Sequence, residues 1–121
     1  MPLFAKLRAM RAFEKRHLHF LRTLEDFDLI REIGYHQEEG APLTMKRLFL
    51  LDLASIATVQ RRLRHLKHSG AIHLTRSRHD ARRVEVSLSP KLLKTYGKYA
   101  ETFGMNGHAH ARMAGAGEGR D

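Results

Sequence analysis

The residues whose types and spacing could do chemistry are densest between positions 55 and 83, and most of them are hydrogen-bond donors or cations. Ser55, Ala57, Thr58, Gln60, Arg61, Arg64 and His68 occupy one run, and Arg76, Arg78, His79, Arg82 and Arg83 follow it. A glutamine can pair with an adenine edge, and an arginine can donate two bonds to a guanine edge. Arginine and histidine further along suit phosphates. The charge distribution points the same way. Residues 1–45 hold seven basic and seven acidic side chains, residues 46–98 thirteen and three, and residues 99–121 two and three. The net charge of +9 therefore sits in the middle of the chain. A pI near 10.5 lies in the range that marks nucleic-acid partners.

Other chemistries lack their residues. There is no cysteine, so no disulfide scaffold, thiolate metal site or cysteine nucleophile. No phosphate-binding GxxxxGK[ST] loop, HExxH or GxSxG occurs. Gly115, Gly117 and Gly119 follow no strand, which defeats a dinucleotide-binding reading. An enzyme and a bound cofactor are not expected. The nine histidines form incomplete sets: His65 with His68 on the side of a helix read as facing DNA, His17 with His19, and His108 with His110. No metal site is expected. No apolar run approaches the length of a membrane span, and charges interrupt the N-terminus every two or three residues. The expected location is the cytoplasm, on the nucleoid when bound to DNA.

Five helices and one hairpin must position these residues. The spacing of Phe4, Leu7, Met10, Phe13, Leu18 and Leu21 predicts a first helix over 4–21. Thr23 is the N-cap of a second, with Leu24, Phe27, Ile30 and Ile33 along one face. Gly34 lies inside it, and Gly40-Ala41-Pro42 ends it. Thr44 caps a short helix over 45–51, and Asp52 to Ala54 form a turn. Ser55 caps a longer helix over 56–68, with Gly70 just past its end. Two helices joined by a short turn make a helix-turn-helix. Val59, Leu63 and Leu66 should face the core, which leaves Ala57, Arg61, Arg64 and His68 outward and Thr58, Gln60 and His65 on the flanks. The period then changes to two. Ile72 and Leu74, then Val84, Val86 and Leu88, alternate with polar residues around a charged tip at 77–81. Ser89-Pro90 opens a last helix carrying Leu92, Tyr96, Tyr99 and Phe103. From Gly104 onward the chain is rich in glycine and alanine and is expected to be a flexible tail.

The fold class is therefore mainly α with a small β-hairpin: a winged helix-turn-helix with flanking dimerisation helices. Residues 1–22 form the N-terminal helix, 23–103 the winged domain with its last helix, and 104–121 the tail.

The run from Ser55 to Ile72, followed by Asp80-Ala81-Arg82 and by Val86 to Ser89, resembles the multiple-antibiotic-resistance regulator (MarR) family over residues 23–103. The family pattern has a Ser-capped recognition helix, a leucine and a glycine-hydrophobic exit, and an Asp-x-Arg in the wing. Leu88-Ser89 stands where Leu-Thr is usual, and the family's long C-terminal dimerisation helices are curtailed. The resemblance implies a dimeric regulator of transcription in which Asp80 steadies the wing by pairing with Arg82.

These residues together predict a sequence-specific binder of duplex DNA, with Thr58, Gln60 and Arg61 reading bases and Arg64 and His68 touching phosphate. The wing arginines suit the narrow minor groove of A·T-rich DNA. A homodimer is expected from apolar faces (Leu7, Met10 and Phe13; Leu92, Tyr96, Tyr99 and Phe103) that exceed what a small core covers. The rival readings are a winged-helix module that docks protein, and a sensor gated by a metal bridging subunits or by a small-molecule effector.

Overall fold

The computed structural model describes residues 2–105, so most of the expected tail, with His108, His110 and the late glycines, lies outside the described residues. Five helices and a two-stranded sheet follow one another: α1 Leu3–His17, α2 Leu24–Glu38, α3 Met45–Leu50, α4 Ile56–His68, β1 Ile72–Arg76, β2 Val84–Leu88 and α5 Pro90–Thr102. The sheet is an antiparallel hairpin in the register Ile72↔Leu88 to Arg76↔Val84. This is the expected class, mainly α with a small hairpin.

The local signals that set the boundaries are mostly caps. Thr23, Thr44, Ser55 and Ser89 each accept a backbone N–H from the third residue on, satisfying donors that a helix start leaves orphaned. Pro90 occupies the first turn of α5, where no N–H is missed. Gly70 follows α4 at φ +82°, a conformation that glycine adopts without penalty. The turn between α3 and α4 uses Asp52 at φ +56°, in the left-handed region that aspartate tolerates better than most residues.

Two helices differ from the reading of the sequence. α1 stops at His17, not Leu21. A continued helix would carry Leu18 and Leu21 within about 40° of Leu7 on the wheel, and Leu7 is exposed. By leaving the helix, Leu18 and Leu21 enter the core, where both are buried. In α2 the buried stripe is Asp26, Leu29, Ile30 and Ile33. Leu24 is 80% exposed, because nine residues of helix rotate about 900°, which leaves it opposite Ile33. Gly34 sits in an unbroken helix for a packing reason. A Cβ there would meet Leu88 Cδ1 at 3.1 Å, so glycine lets α2 approach β2, and Gln37 Oε1 accepts the N–H of Leu88 at 2.9 Å.

The core runs from Leu18 and Leu21 through Leu29, Ile30 and Ile33 to Leu48, Val59, Leu63, Leu66, Ile72 and Val86. The chain before α3 adds to the hairpin: Leu43 O accepts the N–H of Val86 at 2.8 Å. α1 packs on α5 rather than entering this core. Phe13 stacks on Tyr99 with ring centroids 4.9 Å apart, and Phe103 stands edge-on to both. The Tyr99 hydroxyl donates to Glu14 Oε2 at 2.6 Å. The apolar faces expected to be spare for a second subunit thus largely cover each other within one chain. The inner side of α1 is Met10, Phe13, Glu14 and His17, while Leu3, Phe4 and Leu7 remain exposed. Among the described residues no helix is long and apolar enough to cross a membrane.

Burial, then the bond to Glu14, raises the Tyr99 pKa above the ordinary tyrosine value, and burial chiefly pushes Tyr96 up to about 12. Both phenols are thus kept neutral by folding. Their contribution is complete below the unfolded value near 10 and is lost as pH rises through the higher folded values. The thermal midpoint should fall as pH is raised from about 10 to 12. Tyr99→Phe should cost about 1–2 kcal/mol at neutral pH and make that alkaline fall shallower. Calorimetry of the two proteins across pH checks both.

Candidate nucleic-acid interface

α4 carries no acidic side chain, and its sequence divides into three strips. Val59, Leu63 and Leu66 are buried. Ala57, Gln60, Arg61, Arg64, Lys67 and His68 are exposed. Between them runs a half-buried column, Thr58, Arg62 and His65, spaced four and three apart as neighbours on one helix edge must be. The structure therefore brings the expected reading residues to one outward face, apart from Thr58, which stands at its edge.

That edge is hydrogen-bonded before any ligand arrives. Ser55 Oγ accepts the N–H of Thr58 at 3.2 Å and donates to Thr58 Oγ1 at 3.0 Å. Arg61 Nη2 donates to the same oxygen at 3.4 Å. With both acceptor positions of Thr58 Oγ1 used, its own hydrogen is left to be given. Thr58 is thus suited to an acceptor such as a phosphate or carbonyl oxygen, and Arg61 is held beside it.

The wing is closed by its own short-range bonds. Ser77 Oγ accepts the N–H groups of His79 and Asp80 at 3.1 and 3.3 Å. Asp80 Oδ1 accepts the backbone N–H of Arg82 at 3.0 Å, with the Arg82 Nε at 3.4 Å. The side-chain pair is exposed, so the backbone bond is the stronger restraint. Arg76 donates to the carbonyl of Ala81, and Arg83 lies 3.4 Å from Glu85. Arg78, His79 and Arg82 are left exposed around the tip.

Three features of this region were missed in the sequence. Lys46 and Arg47, both exposed, join Arg83 around an open cleft of about 510 Å3 between α3 and the wing; their signal was the adjacent pair of cations near the start of α3. Arg62 turns inward and forks onto Asp26, with Nε and Nη2 each 2.7 Å from a carboxylate oxygen. Burial opposes charge on Asp26, but the Arg62 bonds and the N–H groups of Arg22 and Thr23 outweigh it and hold the acid below its usual range. The same pairing raises the pKa of Arg62. His65, read as flanking the DNA side, instead places Nε2 2.7 Å from the carbonyl oxygen of Phe20; since that oxygen only accepts, Nε2 carries the hydrogen. This separates His65 in role from His68. Among the described residues no three His, Asp or Glu side chains come together to hold a metal.

No family model matches the chain, and no curated protein matches its sequence. Solved structures do align with it. A MepR variant of S. aureus from a multidrug-resistant clinical isolate superposes with a TM-score of 0.63 at 21% identity, over 84% of this chain and 73% of that one. A second S. aureus MepR mutant gives 0.59 at 19%, over 84% and 72%. MarR itself gives 0.51 at 21%, over 84% and 74%. The chain has a MarR-like winged-helix fold. In a MarR-like frame α3 and α4 are the helix-turn-helix, α4 its second helix, and β1–β2 the wing.

The Ser55 cap should be separable from the face it starts. Ser55→Ala should destabilise by about 1 kcal/mol and Ser55→Gly by only a few tenths. Urea titration of the three proteins measures this; equal midpoints for the wild type and Ser55→Ala would remove the cap from the account.

Proposed function

We propose that this protein binds duplex DNA sequence-specifically as a homodimer and regulates transcription. α4 enters the major groove and the wing the minor groove. The observation that carries this reading is the exposed strip of α4, where Ala57, Gln60, Arg61, Arg64, Lys67 and His68 are basic, polar or small and Ile56 at the helix start is the large apolar exception, followed along the chain by an arginine-rich wing. The major groove accepts an α-helix, and residues near its N-terminal end reach the bases. Thr58, Gln60 and Arg61 are the base readers, and Ser55 and Ala57 allow the close approach. Arg64 and His68 meet phosphate, as do Lys46 and Arg47 on the flank of α3. Arg76, Arg78, His79, Arg82 and Arg83 serve the minor groove and its phosphates, with Asp80 holding the loop. Exposed Leu3, Phe4 and Leu7 on α1 are the apolar residues left for a second copy. Covering a promoter would act by blocking polymerase. Such a protein works in the cytoplasm, on the nucleoid, and performs no catalysis.

Selection of bound duplexes from a random pool at a stated salt concentration tests the reading. A preferred sequence with two half-sites about 34–36 Å apart, or a multiple, is expected. A pool with no enriched sequence overturns it. Light scattering should give twice the chain mass, and a monomer at that protein concentration would remove the dimer.

Variants of individual residues should then fail in different ways. Arg61→Lys keeps the charge but loses the fork, so it should relax preference at one base pair per half-site by about 1–3 kcal/mol. Arg78→Ala and Lys46→Ala should weaken all duplexes alike and flatten the salt dependence by about one unit each. Competition binding over a salt series distinguishes the two behaviours.

A further inference from the structure

Arg62 stands on the candidate reading helix, between two residues assigned to DNA, yet it faces away from them. We propose that Arg62 is a positioning residue: with His65 it fastens α4 to the connector between α1 and α2, and sequence preference depends on that fastening. The proposal rests on the DNA-binding reading above and adds residues that never touch DNA.

The geometry is specific. The guanidinium meets Asp26 through two parallel bonds of 2.7 Å, an arrangement that fixes orientation as well as distance. Asp26 has no exposed surface. Its Oδ2 also accepts the N–H of Arg22 at 2.8 Å and of Thr23 at 3.2 Å. One carboxylate therefore binds the connector, the start of α2 and the middle of α4. One turn further along α4, His65 is bonded to Phe20 of the same connector. Two attachments a turn apart on one edge of a helix restrain its tilt as well as its rotation. Thr58, bonded to Arg61, lies on that edge too. A rotation of α4 that moved Arg62 off Asp26 would carry Arg61 away from its base, since the two are about 100° apart on the same rigid turn.

The connector also holds Leu18 and Leu21 in the core and continues directly from α1, which is held to α5 by Tyr99 and Glu14.

The test compares the wild type with Asp26→Asn, Arg62→Met and the double variant, at a temperature where circular dichroism shows all four folded. Each protein's affinity is measured for the selected duplex and for a random duplex over a salt series. Asp26 is wholly buried, so its substitution reports only through the protein. Asp26→Asn and Arg62→Met should each lower the ratio of selected to random affinity about tenfold, a loss within the range of one misplaced base contact. The double variant should lose little more than either, and all salt slopes should match. An Asp26→Asn protein with undiminished preference overturns the proposal, as does an Arg62→Met salt slope lower by about one unit, which would make Arg62 a phosphate contact. Should Arg62→Met not fold, Arg62→Lys, which keeps the charge without the fork, takes its place. A wild type without preference for any duplex overturns the DNA-binding reading and this proposal together; a preferring wild type with an unchanged Asp26→Asn overturns the proposal alone.

Discussion

A charged pair buried against the helix that carries the candidate site constrains everything around it. Removing an aspartate from water costs several kcal/mol, and the attraction of one partner does not reliably offset that. Asp26 is accommodated because four donors converge on it, two from Arg62 and two from the backbone of Arg22 and Thr23. No buried side-chain nitrogen or oxygen among the described residues is left without a partner. Such a pair adds little net stability compared with an apolar replacement. An ionised carboxylate in the interior tolerates few arrangements, because breaking the pair would leave a buried charge without its donors.

The apolar contacts alone would not give that. Val59, Leu63 and Leu66 present methyl groups that pack in several registers at similar cost. Hydrophobic burial supplies most of the driving force and is non-directional. The polar edge of α4 supplies direction. The same division recurs between α1 and α5, where stacked and edge-on rings bring the helices together and the bond from Tyr99 to Glu14 selects the rotation.

What could be read from the sequence follows the range of the interactions involved. The limits of α4 were legible because Ser55 and Gly70 act on backbone within a few residues of themselves. The hairpin was legible because its alternation survives in Ile72, Leu74, Val84, Val86 and Leu88. The outward face of α4 follows from the helical period once Val59, Leu63 and Leu66 are taken inside. The misplacements share another cause. Leu24 and Leu29 are both leucines near the start of one helix, and only the position of β2 and α4 decides which is buried. Leu18 and Leu21 fit the pattern of α1, but the core lies on a side that the helix could not reach. Asp26 read as a favourable first-turn acid, which it is, and its partner 36 residues away left no local mark.

The charge count needs the same care. Adjacent arginines at 61 and 62 are identical in composition and separate by about 100° on a helix. One faces solvent; the other is neutralised by a buried acid from a segment whose own charges balance. The surplus over 46–98 therefore overstates the field at the exposed face by at least that one charge. Glu85 near Arg83 and Asp80 near Arg82 are already counted in that surplus, and they offset cations at the wing rather than on α4. The cations left on α4 are Arg61, Arg64 and Lys67, with Lys46 and Arg47 on the neighbouring α3. A surface of that kind attracts a polyanion from a distance through total charge, but distinguishes sequences only through groups held at fixed angles. Arg61 is held by Thr58, Thr58 by Ser55, and the helix beneath them by Asp26. On the DNA-binding reading proposed above, selectivity rests on short polar contacts inside the protein as much as on the cations that face outward.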